Sequence, residues 1–278
     1  MGKIALIAMP YDSGRCNERM GRGPSHLVET GIAEELRQEG HEVDTVTLRL
    51  EDDFATEVSA LAELQSLGLE KVRAAFAAGA RPILLSGNCG PAALTAVSAS
   101  GAANTGVIWF DAHADFNTPE TSTSGFLDGM GLSILAGHCW AALTPRLRDF
   151  MALPEEQVIL VGVRDLDVPE AQRLAASRIA HVVPGRVQDL QAALGQLPRN
   201  VSQLYLHVDV DVLDVAVGRA NTYACAGGLS EEELVAAIEM VRAFRPVSVA
   251  SITSYDPVAD MDGRIRRVIG RVVKLIAR

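Results

Sequence analysis

The chain has 278 residues, with 25 Lys and Arg against 35 Asp and Glu, a formal charge of −10 and a hydrophobic share of 48%. That length buries roughly three quarters of the unfolded surface without disulfide staples, and an acidic balance without a basic block argues against nucleic acid or an anionic membrane as partner. No apolar run approaches the roughly 18 residues of a membrane span, and Cys16, Cys89, Cys139 and Cys225 are scattered singly, so a soluble, cytoplasmic, globular protein is expected.

The opening MGKIALIAMP carries one lysine and a short apolar run, which reads as a first strand over 3–8 and not as a signal peptide. Further strands are predicted at 42–48, 82–86, 106–111, 157–161, 179–182, 203–209 and 247–253. Helical patterns lie between them, clearest at 26–39, 56–79, 230–243 and 262–276, and Ser230 with Glu233 has capping-box spacing. Strand–helix alternation means βαβ units. The predicted class is therefore α/β, three αβα layers around a central, mostly parallel eight-stranded sheet. Val107-Ile108-Trp109-Phe110 and Val158-Ile159-Leu160-Val161 are apolar without alternation, as strands buried on both faces should be. No repeat or linker interrupts the pattern, so one domain is expected over 1–278.

Ligands of open parallel sheets sit beyond the carboxyl ends of the strands, and chemistry does follow the apolar runs. Asp111-Ala-His113-Ala-Asp115 succeeds one strand, and His207-Val-Asp209-Val-Asp211 ends another. Residues i, i+2 and i+4 of an extended segment share a face, so Asp111, His113 and Asp115 converge, as do Asp209 and Asp211. Buried together, these groups repel one another unless cations sit among them. One Asp-x-Asp is readily a capping cluster; two at neighbouring strand ends point to metal. Four carboxylates and an imidazole form a hard, oxygen-rich donor set that suits manganese.

DAHADFNTP followed by STSG, and DVDVLD followed by GGLS, resemble the signatures of the ureohydrolases, the family of arginases, agmatinases and their relatives. GRGP at 21–24 looks like the family's N-terminal glycine-rich turn, and VGVRDLD at 161–167 resembles another of its segments, so the resemblance covers nearly the whole chain. It implies an arginase-like fold and a binuclear manganese hydrolase. By resemblance, Asp111 and Asp209 would bridge two Mn2+ ions, Asp115 would complete the more buried one, and His113 and Asp211 the other. A hydroxide bridging the ions would attack the guanidine carbon, with Asp115 stabilising what develops, and collapse would expel the amine.

The chain also departs from the pattern. Cys89 stands in the slot of a histidine ligand; beside a dication it would be a thiolate ligand, and alone it would be a small buried packing residue. The ligand slot favours coordination, and a thiolate keeps zinc and iron open beside manganese. Asp128 stands where arginases place a proton-shuttling histidine. It is a proton carrier if desolvated, or else a solvated loop residue. His207 replaces a small hydroxyl residue, as a substitute shuttle or as a core histidine bonded to a ligand carboxylate. Ser254 replaces the glutamate that pairs with the substrate guanidinium, Tyr223 a threonine near the reacting end, and Phe126 a contact to the α-carboxylate.

At the other end, Asn117 and Ser124 match residues that hold an α-carboxylate and Asp167 one that contacts the α-amino group, although each type is also common turn chemistry. An amino-acid end kept and a guanidine end rebuilt points to a modified guanidine. An N-hydroxyguanidine is less basic and needs no buried counter-ion, whereas an unpaired buried glutamate would be costly. The combination resembles the family branch that cleaves Nω-hydroxy-L-arginine to hydroxyurea and L-ornithine in D-cycloserine biosynthesis. The rival expectations are a hydrolase of another guanidino or formimino acid, and a catalytically inactive relative that binds metal or an amino acid. Because the sequence stops after its last predicted helix, without the extension of trimeric arginases, a monomer is expected.

Overall fold

All eight predicted strands are present in the computed structural model, which describes residues 2–51 and 56–278. In chain order they are β1 (Lys3–Met9), β4 (Glu42–Thr47), β5 (Ala80–Ser86), β6 (Thr105–Phe110), β7 (Val158–Val161), β8 (Ala180–Val182), β9 (Gln203–Asp209) and β10 (Val247–Thr253). A small antiparallel hairpin, β2 (Tyr11–Asp12) with β3 (Arg15–Cys16), follows β1. The eight long strands form one sheet in the order β4-β1-β5-β10-β9-β6-β7-β8, and every neighbouring pair runs parallel. An all-parallel sheet must have both faces covered.

The pleat sorts side chains between two apolar layers. Ile4 and Leu6 of β1, Ile108 and Phe110 of β6, and Leu204, Leu206 and Val208 of β9 pack on one face. There they meet α1 (Arg22–Glu29), α2 (Ile32–Gln38), α7 (Leu190–Gly195), α8 (Glu231–Phe244) and α9 (Arg264–Ala277). Ile7, Met9, Val107, Trp109, Tyr205 and Val249 pack on the other, against α3 (Glu57–Ala77), α4 (Cys89–Ser100), α5 (Gly131–Leu135) and α6 (Val168–Ala176). This is the αβα sandwich that the alternation predicts. The Ser230–Glu233 capping box is formed in both directions. No helix among the described residues is long and apolar enough to cross a membrane.

Two local expectations are corrected. The helix predicted over 26–39 is broken at Thr30-Gly31, where Gly31 takes φ 85°, so α1 and α2 are separate. The GRGP segment is a turn only at Gly21 and from Arg22 on is a helix start. Gly21 ends a 3-10 turn, and α1 opens at Arg22. Its glycines serve close approach, since a Cβ on Gly23 would lie 2.1 Å from the Tyr255 carbonyl oxygen.

Candidate metal centre

The four adjacent central strands β5, β10, β9 and β6 all end at one cleft, and pleat parity decides what they deliver there. In register, Trp109 lies beside His207, His207 beside Ser251, and Asp209 beside Thr253. Two residues beyond Trp109 on the same face comes Asp111, and two beyond His207 comes Asp209. The carboxylates thus continue a row whose earlier members are buried core.

Backbone and side-chain donors fix the carboxylates. Asp111 Oδ1 accepts from the His113 N–H at 2.7 Å, and Oδ2 from Trp109 Nε1 at 2.9 Å. Asp209 Oδ1 accepts from the Asp211 N–H at 2.9 Å. Asp211 Oδ1 accepts from the Ala112 N–H at 3.2 Å and Oδ2 from Asn221 Nδ2 at 3.1 Å, tying the two strand ends together. His113 Nδ1 lies 3.3 Å from Asp111 and 3.6 Å from Asp211. Asp115 and Ser254 are held at φ 49° and 61°, a region non-glycine residues enter at a cost and mainly where function demands it. The Asp115 carbonyl accepts from the N–H groups of Leu132 and Ser133 at the start of α5, which holds that conformation.

Cys89 is the first residue of α4. Its Sγ lies 3.1 Å from Asp209 Oδ2, 3.2 Å from Thr253 Oγ1 and 3.5 Å from Ser254 Oγ. Asp128 is buried, and accepts from the Gly90 N–H at 2.9 Å and from Asn88 Nδ2 at 2.8 Å. It is therefore no solvated loop residue, and burial lifts its carboxyl to about 7. His207 is fully buried, and its partners are hydroxyls, not a ligand carboxylate as the sequence suggested. Tyr205 and Ser251 contact Nδ1 at 2.8 and 2.9 Å, and Thr253 contacts Nε2 at 3.4 Å. It does not border the cavity, which removes it as a shuttle.

The electrostatics have the signature of a cation site. Burial first, and mutual repulsion second, push the carboxyls of Asp111, Asp115 and Asp209 above the ordinary range. Burial alone would lower His113, but Asp111 and Asp211 overcome it and raise the imidazole to about 11. Asp115 Oδ2 is buried with no hydrogen-bond partner among the described residues, and buried polar atoms are rarely left so. Donor atoms of Asp111, His113 and Asp211 lie within 4.8 Å of one another, as do those of Cys89, Asp115 and Asp128, and of Cys89, Asp111 and His207. Carboxylates, one imidazole and one thiol could hold two divalent ions, and an unpaired buried carboxylate oxygen is a donor that fits such an ion.

Above these groups lies a cavity of about 240 Å³. It is bordered by Cys89, His113, Asp115, Asn117, Ser124, Asp128, Asp167, Asp209, Asp211 and Ser254, while Asp111 lies behind them. Near the mouth Phe126 stacks on Tyr223, ring centroids 5.7 Å apart, and the Arg19 guanidinium sits over Phe126. The sequence reading missed Asn221, which bridges Asp211 and the Ser254 carbonyl, and Asp165 and Glu170, which border the cavity. It also missed Arg164, whose guanidinium donates to six carbonyls from Gly162, Asp211, Val212, Leu213, Cys225 and Ala226. The VGVRDLD segment was the signal for two of these four, Arg164 and Asp165.

A parallel αβα sandwich with carboxylates, an imidazole and a thiol gathered at the ends of its central strands defines a hydrolase scaffold able to hold two metal ions. The chain belongs to the Arginase family, whose profile spans residues 2–277; this is a family of binuclear-metal hydrolases acting on C–N bonds of amidines. It is 28% identical to an arginase of Bacillus caldovelox over 277 residues, covering 94% of this chain and 93% of that one. With an arginase of Bacillus subtilis strain 168 it shares 27%, covering 92% and 91%. The structure superposes on an arginase from Bacillus cereus with a TM-score of 0.87 at 23% identity, covering 99% and 98%. On a formimidoylglutamase from Bacillus subtilis the TM-score is 0.75 at 16% identity, covering 100% and 86%. These structural likenesses establish the arginase fold.

Proposed function

We propose that this single-domain chain is a binuclear manganese amidinohydrolase that cleaves Nω-hydroxy-L-arginine to hydroxyurea and L-ornithine. In this reading Asp111, Asp209, Cys89, Asp115, His113 and Asp211 would together hold the two ions. When bound, the ions supply Lewis acidity and lower the pKa of water so that a nucleophile is available near neutrality.

The observation that carries the substrate reading is Ser254. It borders the cavity beside Cys89 as a short neutral side chain, where the ureohydrolase pattern has a glutamate for the guanidinium. A weakly basic N-hydroxyguanidine is bound there without a buried counter-charge. Asn117, Ser124 and Asp167 border the same cavity. Asn117 and Ser124 offer hydrogen bonds to an α-carboxylate and Asp167 a carboxylate to an α-amino group, so the substrate is a small amino acid. Burial lifts the Asp128 carboxyl to about 7, so it can hold a proton near neutrality. It can take one from the nucleophile and give it to the departing amine. Asp115, which borders the same cavity and is held at φ 49°, would stabilise the charge that develops on attack.

The test is steady-state ornithine release from L-arginine and Nω-hydroxy-L-arginine, side by side with added manganese. Release from the hydroxylated substrate alone is expected. Preference for L-arginine would overturn the substrate reading in favour of an arginase, and silence on both would leave another amidine or a binding role.

A further inference from the structure

Beneath the candidate metal centre lies a closed polar chain that the chemistry above does not use. Tyr205, His207 and Ser251 are fully buried on adjacent strands. Their polar atoms form a triangle: Tyr205 Oη to Ser251 Oγ 2.7 Å, Tyr205 Oη to His207 Nδ1 2.8 Å, and Ser251 Oγ to His207 Nδ1 2.9 Å. The two hydroxyls bring two hydrogens, and among the described residues neither has another side-chain partner. If Nδ1 accepts, one hydroxyl donates to it and the other donates to its fellow, and both hydrogens are placed. If Nδ1 carried a hydrogen, one hydroxyl hydrogen would be left without an acceptor in a dry interior, which is costly. The network therefore assigns the hydrogen of the neutral imidazole to Nε2.

Nε2 points out of the triangle toward Thr253 Oγ1 at 3.4 Å. Thr253 has one hydrogen of its own, and its remaining neighbours are Cys89 Sγ at 3.2 Å, Asp209 Oδ2 at 3.5 Å and the Val208 carbonyl at 3.4 Å. Of these the sulfur is the nearest, so the shortest path runs from the triangle through Nε2–H to Thr253 and from the Thr253 hydroxyl to the sulfur, with the Val208 carbonyl and the Asp209 carboxylate as competing acceptors for the same hydrogen. The imidazole is locked in place by its stack on Trp109, ring centroids 3.8 Å apart, and Trp109 Nε1 in turn donates to Asp111. Cys89 and His207, the two positions at which the inner end of the site departs from the pattern the sequence resembles, are 118 residues apart and meet through one hydroxyl.

We propose that His207 is a positioning residue: through Thr253 it delivers a hydrogen bond onto the Cys89 sulfur and so sets the orientation and strength of that sulfur as a metal donor. The proposal rests on the reading of Cys89 as a ligand and is independent of which amidine is cleaved. Partners that orient a metal ligand from behind govern metal affinity by 10–100-fold. An Nε2 that carries the hydrogen has no lone pair for an ion, so His207 acts through Thr253 and not as a ligand itself.

Cobalt(II) titrated into the metal-free protein tests this without substrate. A sulfur-to-cobalt charge-transfer band in the near ultraviolet reports the Cys89 thiolate. Thr253→Val keeps the shape of the side chain and removes only the hydroxyl. The expected result is a band shifted to longer wavelength, because the sulfur lone pairs lose their hydrogen bond, together with cobalt affinity lowered about tenfold or more. His207→Leu is expected to do the same. His207→Gln, whose amide nitrogen can stand in for Nε2–H, is expected to restore most of the affinity. Circular dichroism and the unfolding temperature of the metal-free variants identify any variant that fails to fold, and Thr253→Val remains the deciding one. Wild-type band and affinity in folded Thr253→Val and His207→Leu would overturn the inference and leave His207 as packing. A wild-type protein that binds cobalt without the band would overturn the ligand reading itself, a result distinct from unresponsive variants.

Discussion

At the floor of the cleft, Asp111, Asp209 and Thr253 stand on the ends of adjacent strands and are buried, and each carboxylate is held by a donor no more than two residues along the chain. At the rim, Ser124, Asp165 and Tyr223 are exposed on loops, and Tyr223 is held by its stack on Phe126. The floor is over-determined, since moving one carboxylate would break a ladder register or a backbone bond. The rim can be re-lettered one residue at a time. A scaffold of this kind keeps its chemistry and changes its substrate, because the groups that activate and the groups that choose belong to different parts of the fold.

The sharpest break of that division is Asp209→Asn, which preserves shape and removes one charge from the floor. Metal content measured by elemental analysis and kcat/KM should fall together, the latter by more than about 100-fold, since even the partners behind a ligand are worth 10–100-fold. Full metal occupancy with activity within tenfold of wild type would mean that the floor is not the metal centre. Cys89→Ser comes next. It is expected to cost about tenfold or more in metal affinity, because a neutral hydroxyl is a poor exchange for a thiolate. Unchanged affinity would return Cys89 to the role of a small buried residue.

The same division explains what could be read from the sequence. Asp111 and Asp209 were legible because they continue the period-two rows of their strands, whereas His113, Asp115 and Asp211 lie beyond the strand ends, Asp115 at φ 49° and Asp211 in a 3-10 turn, and reach the cleft by loop geometry and not by the extended pleat their spacing suggested. The eight strands were legible for a related reason, since runs such as Val107–Phe110 have no polar residue to place elsewhere. Helix 26–39 was misjudged because its apolar pattern continues through Thr30 and Gly31, and only the positive φ at Gly31 breaks it. What Asn221 and Arg164 do was not legible, although Arg164 lies in the quoted VGVRDLD segment. Their roles consist of contacts to backbone carbonyls and to a carboxylate far along the chain, which no local pattern encodes. Asp128 was legible in position but not in state, because its burial depends on how the 116–130 loop folds back onto Asn88 and Gly90.

Ser254 lies where floor meets rim, so Ser254→Glu sharpens the boundary. A carboxylate there supplies the counter-charge a guanidinium needs. The ratio of kcat/KM for L-arginine to that for Nω-hydroxy-L-arginine should rise about tenfold, or about 1.4 kcal/mol. An unmoved ratio would place discrimination elsewhere, with the stacked Phe126 and Tyr223 the next residues to replace.

The smallest expected effect belongs to Glu170, a buried carboxyl that supports the rim by accepting from the Phe116 N–H at 2.8 Å. Burial raises its pKa from 4.5 to about 6, with the Phe116 bond working against the rise. The folded protein therefore binds this proton more tightly than the unfolded chain does. Its contribution to stability is fully present below about pH 4.5 and is lost as the pH climbs through 6, the opposite of a carboxylate held by a cation. At 1.36 kcal/mol per pH unit, the gap amounts to about 2 kcal/mol of destabilisation above pH 7. Glu170→Gln keeps an acceptor for Phe116 and removes the charge, so it should stabilise the metal-free protein by about 1–2 kcal/mol at pH 8 and hardly at all at pH 4. Denaturant unfolding at the two pH values measures this. Equal gains at both would trace the effect to packing and not to ionisation, and a loss at both would mean that Gln cannot replace the carboxylate as the acceptor holding Phe116 and the loop beyond it.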